Sequence, residues 1–331
     1  MKILVVRFSS IGDIVLTTSI VRCLKQQLPN SIIHYFTKSA YKDLVIHNPN
    51  IDQVYELSEN WTENIERLKK EKYDYVIDLH HNLRTKRLKA ALKTPAFSFP
   101  KRNIKKFLFT QLKLNLLLKD EHVVDRYFEA VKKLGVLNDF LPNEIFINDN
   151  NKIEFANYGI ESKNYLAVSV GAQFATKKMP IEFISQVLNS VETPVVLLGD
   201  KNDQKEAEKI IASCRNKKII SFCGSLNLLQ SAFVMSHAKA ALCHDTGLMH
   251  IAACFKIPII TVWGNTTPDF GMYAYTPMNK NQAINFEVEN LSCRPCSKIG
   301  YQKCPKGHFK CMNLQNKEGI IKEVNKRINN Q

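Results

Sequence analysis

The feature that most constrains this chain is a regular alternation of short apolar runs with helical patterns, starting at the second residue. KILVVRF (2–8), SIIHYFT (31–37), IDQVYEL (51–57) and YDYVIDL (73–79) have the length and the β-branched and aromatic content of strands. Helical stretches fall at 13–28, 39–46 and 60–71, the first stopped by Pro29-Asn30, and 102–135 also reads as helical. This is the rhythm of a parallel sheet wound on both faces by helices, so the expected class is α/β. The Asn-, Asp- and Pro-rich segment 137–159 interrupts it. A second series then follows: YLAVSV (165–170), PVVLLG (194–199), KKIISFCG (217–224), KAALC (239–243) and IPIITVWG (257–264), with helices from Pro180, up to 213, at 226–237 and at 246–255. With 331 residues, two domains of roughly 150 residues each are the expectation. They are set at 1–150 and 151–315, with an amphipathic helix in 316–331 (Ile320, Ile321, Val324, Ile328) packing back on the first.

A hydrophobic fraction of 45% and a charged fraction of 23% exclude disordered and fibrous classes. No apolar run approaches the roughly 20 residues that span a bilayer. MKILVVRFSSIGD reads as a first strand rather than a signal peptide, so the expected location is the cytoplasm. The net charge of +15 is concentrated. Leu79 through Lys119 holds no Asp or Glu, yet carries Arg84, Lys86, Arg87, Lys89, Lys93, Lys101, Arg102, Lys105, Lys106, Lys113 and Lys119. Such a block predicts an anionic partner: a nucleic acid, an anionic membrane surface or a phosphorylated substrate.

Three strand ends carry candidate chemistry. In VVRFSSIGDIVLTTSIV (5–21) the first strand turns through Ser9, Ser10 and Gly12 into a helix at Asp13. Gly12 is the only glycine before Gly135, which excludes the G-x-G-x-x-G turn of a dinucleotide site, and no P-loop sequence occurs. Asp13 therefore stands alone at a sheet edge, as helix cap or as catalytic carboxylate. His80-His81 occupy another strand end. In VSVGAQFATKKMP (168–180), Lys177 and Lys178 lie on a loop of the kind that receives phosphate. In HDTGLMH, Asp245 ends a strand, Thr246 and Gly247 open a helix, and His250 lies one turn in, on the face of Thr246. Together with Lys177 they describe a diphosphate site.

RFSSIGDIVLTTS, GAQFATKKMP and HDTGLMHIAACFKIPIITVWGNTTP resemble, in order, the motifs of glycosyltransferase family 9, the ADP-heptose:lipopolysaccharide heptosyltransferases. The resemblance implies a GT-B fold: two Rossmann-like parallel-sheet domains facing each other across a cleft, acceptor in the first and nucleotide-sugar in the second. It implies an inverting, metal-independent transfer of a sugar, heptose from ADP-heptose, to a lipopolysaccharide core or lipid A-type acceptor. Asp13 would be the general base. Lys177, Asp245, Thr246, Gly247 and His250 would hold the donor, with Met249 near the nucleotide. The family's ribose-binding glutamate is missing from GDKNDQKEAE (199–208), where Asn202 or Asp203 stands instead, and Met179 replaces the usual aromatic before Pro180. Arg84, Lys86, Arg87, Lys101 and Arg102 would meet acceptor phosphates. The apolar face of 104–118 would rest on the inner leaflet, making the enzyme peripheral at the inner face of the inner membrane. A same-fold transferase using another nucleotide-sugar for a different surface glycan remains open.

Five of the nine cysteines (Cys23, Cys214, Cys223, Cys243, Cys254) lie in apolar patterns and read as core. The others form Cys293-x2-Cys296-x7-Cys304-x6-Cys311 with His308 nearby, a candidate structural zinc arrangement set against reduced, unligated thiols. No catalytic metal or other cofactor is expected. A basic, zinc-stabilised nucleic-acid-binding protein is the alternative of a different class. It accounts for the charge but not for Asp13 and Asp245, since acids are disfavoured beside a phosphate backbone, so no nucleic-acid partner is expected.

Overall fold

The computed structural model describes residues 1–215 and 218–329; residue 217, which opens the strand expected at 217–224, and residues 330–331 of the expected C-terminal helix lie outside these. The chain divides into two compact units, Met1–Arg102 with Glu121–Asn148, and Asn103–Asp120 with Asp149 onward. The first holds β1 (Lys2–Val6), β2 (Ile32–Lys38), β3 (Gln53–Leu57), β4 (Tyr75–Asp78) and β5 (Ala96–Ser98). The second holds β6 (Leu166–Ser169), β7 (Val195–Leu198), β8 (Ile219–Ser221), β9 (Ala240–His244), β10 (Ile259–Trp263) and β11 (Ala283–Glu287).

Both sheets are wholly parallel. Their orders are β3-β2-β1-β4-β5 and β11-β10-β9-β6-β7-β8. β1, β6, β7, β9 and β10 are buried almost throughout because helices cover both faces, which explains why they read as continuous apolar runs rather than alternating ones. Leu4, Val6, Phe36, Leu68, Val76 and Leu88 share the first core, and Val168, Ile184, Leu197, Leu242 and Val262 the second.

Four elements depart from expectation. The helix Leu83–Leu92 starts inside the basic block. The Asn82 carboxamide accepts from the Thr85 amide (2.9 Å) and the Thr85 hydroxyl from the Asn82 amide (2.9 Å), a reciprocal cap that charge had masked. β5 and β11, of three and five residues, are sheet-edge strands with no fully buried residue, and carry too weak a pattern to read. The helix Lys317–Asn329 packs within the second unit, against the helix Ile181–Leu188, β9 and β10, whereas the sequence set it on the first domain. Its stripe Ile320, Val324 and Ile328 joins the second core, each side chain contributing about 1.5–3 kcal/mol of burial. Segment Asn103–Asp120, assigned by sequence to the first domain, also belongs to the second unit.

Candidate functional site

In each sheet the chain runs outward from its first strand and later returns to that strand's other side. The reversal falls between β1 and β4 in the first sheet and between β6 and β9 in the second. Open α/β sheets place their ligands at such points.

At the first reversal Arg7, buried at the end of β1, ties the two strand ends together. Its guanidinium donates to the carbonyls of Ser9 (2.7 Å) and Leu79 and pairs with Asp13 Oδ1 at 2.6 Å. Asp13 Oδ2 accepts from the Ser10 hydroxyl (2.9 Å) and amide (3.3 Å), and the Tyr127 hydroxyl lies 3.4 Å from Oδ1. The carboxylate thus serves its helix start, yet stays about one-fifth exposed, so a ligand can still reach it. His80 lies against Phe8 at 5.1 Å between ring centres. Burial, with Arg7 and Lys101 adding to it, pushes its pKa down to about 4, so the imidazole is neutral at pH 7. The sequence signalled Asp13 but not Arg7, whose one sign was a lone cation inside an apolar strand.

At the second reversal Lys177, on the loop after β6, reaches Asp245, directly after β9, with Nζ to Oδ2 at 2.6 Å. The Thr266 hydroxyl, beyond the end of β10, donates to the same oxygen at 2.8 Å. Burial alone would push the Asp245 carboxyl up, but the Lys177 ammonium, the Thr266 hydrogen bond and nearby His250 together hold it below the ordinary value. His244 is fully buried, with its pKa driven down to about 4 chiefly by burial, and its Nε2–H donates to the Gly171 carbonyl at 2.8 Å across the seam. Gly264 is required by close approach: a Cβ there would stand 2.6 Å from the Thr176 carbonyl oxygen.

The structure therefore brings Lys177 and Asp245 together, with Thr246 and Gly247 at the start of the next helix. Thr246 makes no side-chain capping bond, and that helix spans Gly247–Ala253, shorter than the expected 246–255. With so few aligned peptides, Lys177 carries most of the positive potential. His250 is buried on the same helix, and Met249 is fully buried, which makes Met249 a core side chain rather than a surface one. Lys178 is held by Asp203 (2.8 Å) and Glu206 (3.0 Å), which ties its loop to the segment after β7. Asp203 is itself buried and accepts from the Asp200 amide at 2.9 Å.

The basic block is not uniform. Arg84, Lys86 and Arg87 are exposed on the helix Leu83–Leu92. Arg102 is paired with Glu121 (2.9 Å) and Glu129 (3.1 Å), and Lys89 with buried Asp78 (2.9 Å), so their charge is already answered. Lys101 is half-buried. Cys293, Cys296, Cys304 and Cys311 line one small cavity with His308, although among the described residues no three His, Cys, Asp or Glu stand in the spacing of a metal-ligand set.

The family model for glycosyltransferase family 9 (heptosyltransferase) matches residues 61–305. The chain is 26% identical over 310 residues to lipopolysaccharide heptosyltransferase 2 of Salmonella typhimurium, covering 82% of this chain and 84% of that one. It is 25% identical over 315 residues to lipooligosaccharide heptosyltransferase 2 of Haemophilus ducreyi, at 86% and 88% coverage. Among solved structures, the E. coli ADP-heptose lps heptosyltransferase II superposes with a TM-score of 0.73 at 19% identity, over 99% of this chain and 98% of that one. A family 9 glycosyltransferase of Veillonella parvula gives 0.74 at 22%, over 99% and 97%. These likenesses identify the two parallel-sheet units as those of the GT-B fold. The chain belongs to glycosyltransferase family 9, the heptosyltransferase family, and is a glycosyltransferase.

Proposed function

We propose that this enzyme transfers heptose from ADP-heptose to the core of a lipopolysaccharide-type acceptor, with inversion and without a catalytic metal. The observation that carries the reading is the Lys177–Asp245–Thr266 cluster at the reversal point of the second sheet, in a chain of this family. Lys177 supplies the cation for the donor diphosphate. Asp245 is no phosphate ligand; it aims Lys177 and can accept from a sugar hydroxyl. In the first unit Asp13 accepts the proton of the acceptor hydroxyl as that oxygen attacks the anomeric carbon. The bond from that carbon to the diphosphate breaks, and ADP leaves with the electron pair. Arg7 orients Asp13 through their 2.6 Å ion pair.

Exposed Arg84, Lys86 and Arg87 suit acceptor phosphates. Segment Asn103–Asp120 suits the anionic inner face of a membrane: Ile104 is 77% exposed and Phe107 61%, with Leu112, Leu114, Leu116 and Leu118 also exposed among four lysines. No helix among the described residues is long and apolar enough to cross a membrane.

The test is ADP release from ADP-heptose in the presence of acceptor and chelator. Asp13→Asn should lower turnover by about 10²–10⁴-fold with ADP binding unchanged. Full turnover in that variant would sink the base assignment, and loss of activity in chelator would sink the metal-free chemistry.

A further inference from the structure

The four cysteines left over from the core lie on a loop that the transfer chemistry does not use. We propose that Cys293, Cys296, Cys304 and Cys311 bind a single zinc ion as a tetrathiolate, and that this ion holds together the loops carrying Lys177 and Thr266. The second half of the proposal rests on the donor site described above; the first half does not.

Four thiols from a 19-residue stretch line one cavity of about 10 Å³, room for one water-sized body. Cys293 and Cys296 supply the C-x-x-C half. Cys304 begins a tight turn closed by the Gly307 amide donating to its carbonyl (3.0 Å), with Gly307 in the left-handed region at φ 72°. Cys311 enters from the short helix Lys310–Asn313. The four cysteines line the cavity without standing as a ready-made ligand set, so binding the ion requires their side chains to move.

The surroundings match such an ion. Four thiols that give their protons to solvent and bind one divalent cation leave a net charge of −2. Lys306 lines the same cavity, as does Arg294, which is also ion-paired with Glu287, and Lys113 donates to the Cys293 (3.2 Å) and Pro295 (2.8 Å) carbonyls. His308 is disposed as a supporting group rather than a ligand. The Lys310 amide donates to its Nδ1 (3.0 Å), which puts the ring proton on Nε2, 3.8 Å from Cys293 Sγ. An N–H aimed at a metal-bound sulfur is a common outer-shell contact.

The thiol loop is also what braces the donor-site loops. The Arg294 guanidinium donates to the carbonyls of Gly264 and Thr266, both at 2.7 Å. The Cys296 amide donates to the Asn265 carbonyl (3.2 Å). Tyr301 and Thr176 exchange backbone and hydroxyl bonds of 2.8–3.1 Å, one residue from Lys177. Gln315, just past Cys311, donates to the carbonyls of Trp263 (2.9 Å) and Cys311 (2.8 Å). A zinc ion would therefore fix the backbone on both sides of the Lys177–Asp245 pair.

Elemental analysis and native mass spectrometry of the full-length protein, expressed with zinc supplied, should give about one zinc per chain. Cys304→Ser and Cys311→Ser should each lose most of it, and Cys254→Ser none. A thiol-blocking mercurial should release the ion into a chromogenic chelator. Stripped protein that keeps its far-UV circular dichroism should bind ADP about tenfold more weakly, with recovery on adding zinc back. Metal-free protein or full zinc in both serine variants would overturn the site, and stoichiometric iron in place of zinc would overturn the choice of ion. Zinc present with ADP affinity unchanged after stripping would overturn the bracing role alone, and failure of all ADP binding in the zinc-loaded protein would fall on the donor assignment instead.

Discussion

Replacing Lys177 by Met should destabilise the second unit more than replacing Lys177 and Asp245 together. Two unit charges 2.6 Å apart attract by about 6 kcal/mol at an effective dielectric near 20, and the cost of desolvating both offsets most of that. Removing Lys177 alone cancels the attraction but leaves the Asp245 carboxylate buried. Losses of about 3–5 kcal/mol are typical of fully buried pairs. Here the side chains keep 17% and 10% exposure, so about 2–4 kcal/mol is expected. Lys177→Met/Asp245→Asn removes both charges and should fall within about 1 kcal/mol of the parent, a coupling energy of about 2–3 kcal/mol. Asp245→Asn alone should cost less than Lys177→Met, because the long lysine stem can carry its ammonium to water.

The pH dependence has a definite sign. In the parent, Asp245 titrates below its unfolded value of about 3.9, so its contribution is complete above that pH and is lost as pH falls through the lowered folded value. In Lys177→Met burial dominates, the folded pKa rises, and stability falls as pH rises past about 4. The gap between parent and variant should be widest near neutrality and shrink below pH 4. Urea unfolding can be followed by Trp263 fluorescence in a Trp61→Phe background, since these are the only two tryptophans and Trp263 ends β10. Equal destabilisation of single and double variants, or a gap that ignores pH, would refute the reasoning.

Other outcomes follow from the same structure. His244→Gln should flatten the stability profile between about pH 4 and 6.5: the buried histidine is lost to protonation as pH falls through that window, at a cost of roughly 3 kcal/mol by pH 4. A parent profile that is already flat there would refute the assignment. Gly264→Ala should lower the melting temperature and weaken ADP binding measured by calorimetry, because the new Cβ would stand 2.6 Å from the Thr176 backbone carbonyl oxygen beside Lys177 and must displace it; unchanged affinity and melting temperature would show that the loop absorbs the shift. Arg84→Glu/Lys86→Glu/Arg87→Glu should raise KM for the phosphorylated acceptor and flatten its salt dependence, with ADP affinity unchanged. Phe107→Ser/Leu116→Ser should reduce co-sedimentation with anionic vesicles several-fold, and equal sedimentation would remove the membrane role.

What the sequence revealed and what it hid have a common cause. Strands such as VVLL at 195–198 and IITVW at 259–263 are buried on both faces, so burial alone dictates their residues and they stand out in the one-dimensional pattern. Asp245 was legible because it directly follows such a run, and Asp13 because it lies in the first turn of the helix after one. Partners recruited from distant positions were not. Thr266 reaches Asp245 from 21 residues away, and Arg294 reaches the Gly264 carbonyl from 30, with no local spacing to announce either. The basic block misled in detail because Glu121 and Glu129, which answer Arg102, lie just outside it.

The division of the chain also bears on dissection. The backbone leaves the first unit after Arg102, returns at Glu121 and leaves again after Asn148, so three covalent junctions join the two units. Neither unit is a contiguous piece. Expressing residues 1–148 would strand the apolar segment 103–120 without the unit it belongs to, inviting aggregation, and expressing 149–331 would omit that segment. Exchanging either unit with a relative calls for splicing at all three junctions, and a single protease cut near 148 would leave the halves tethered through 103–120.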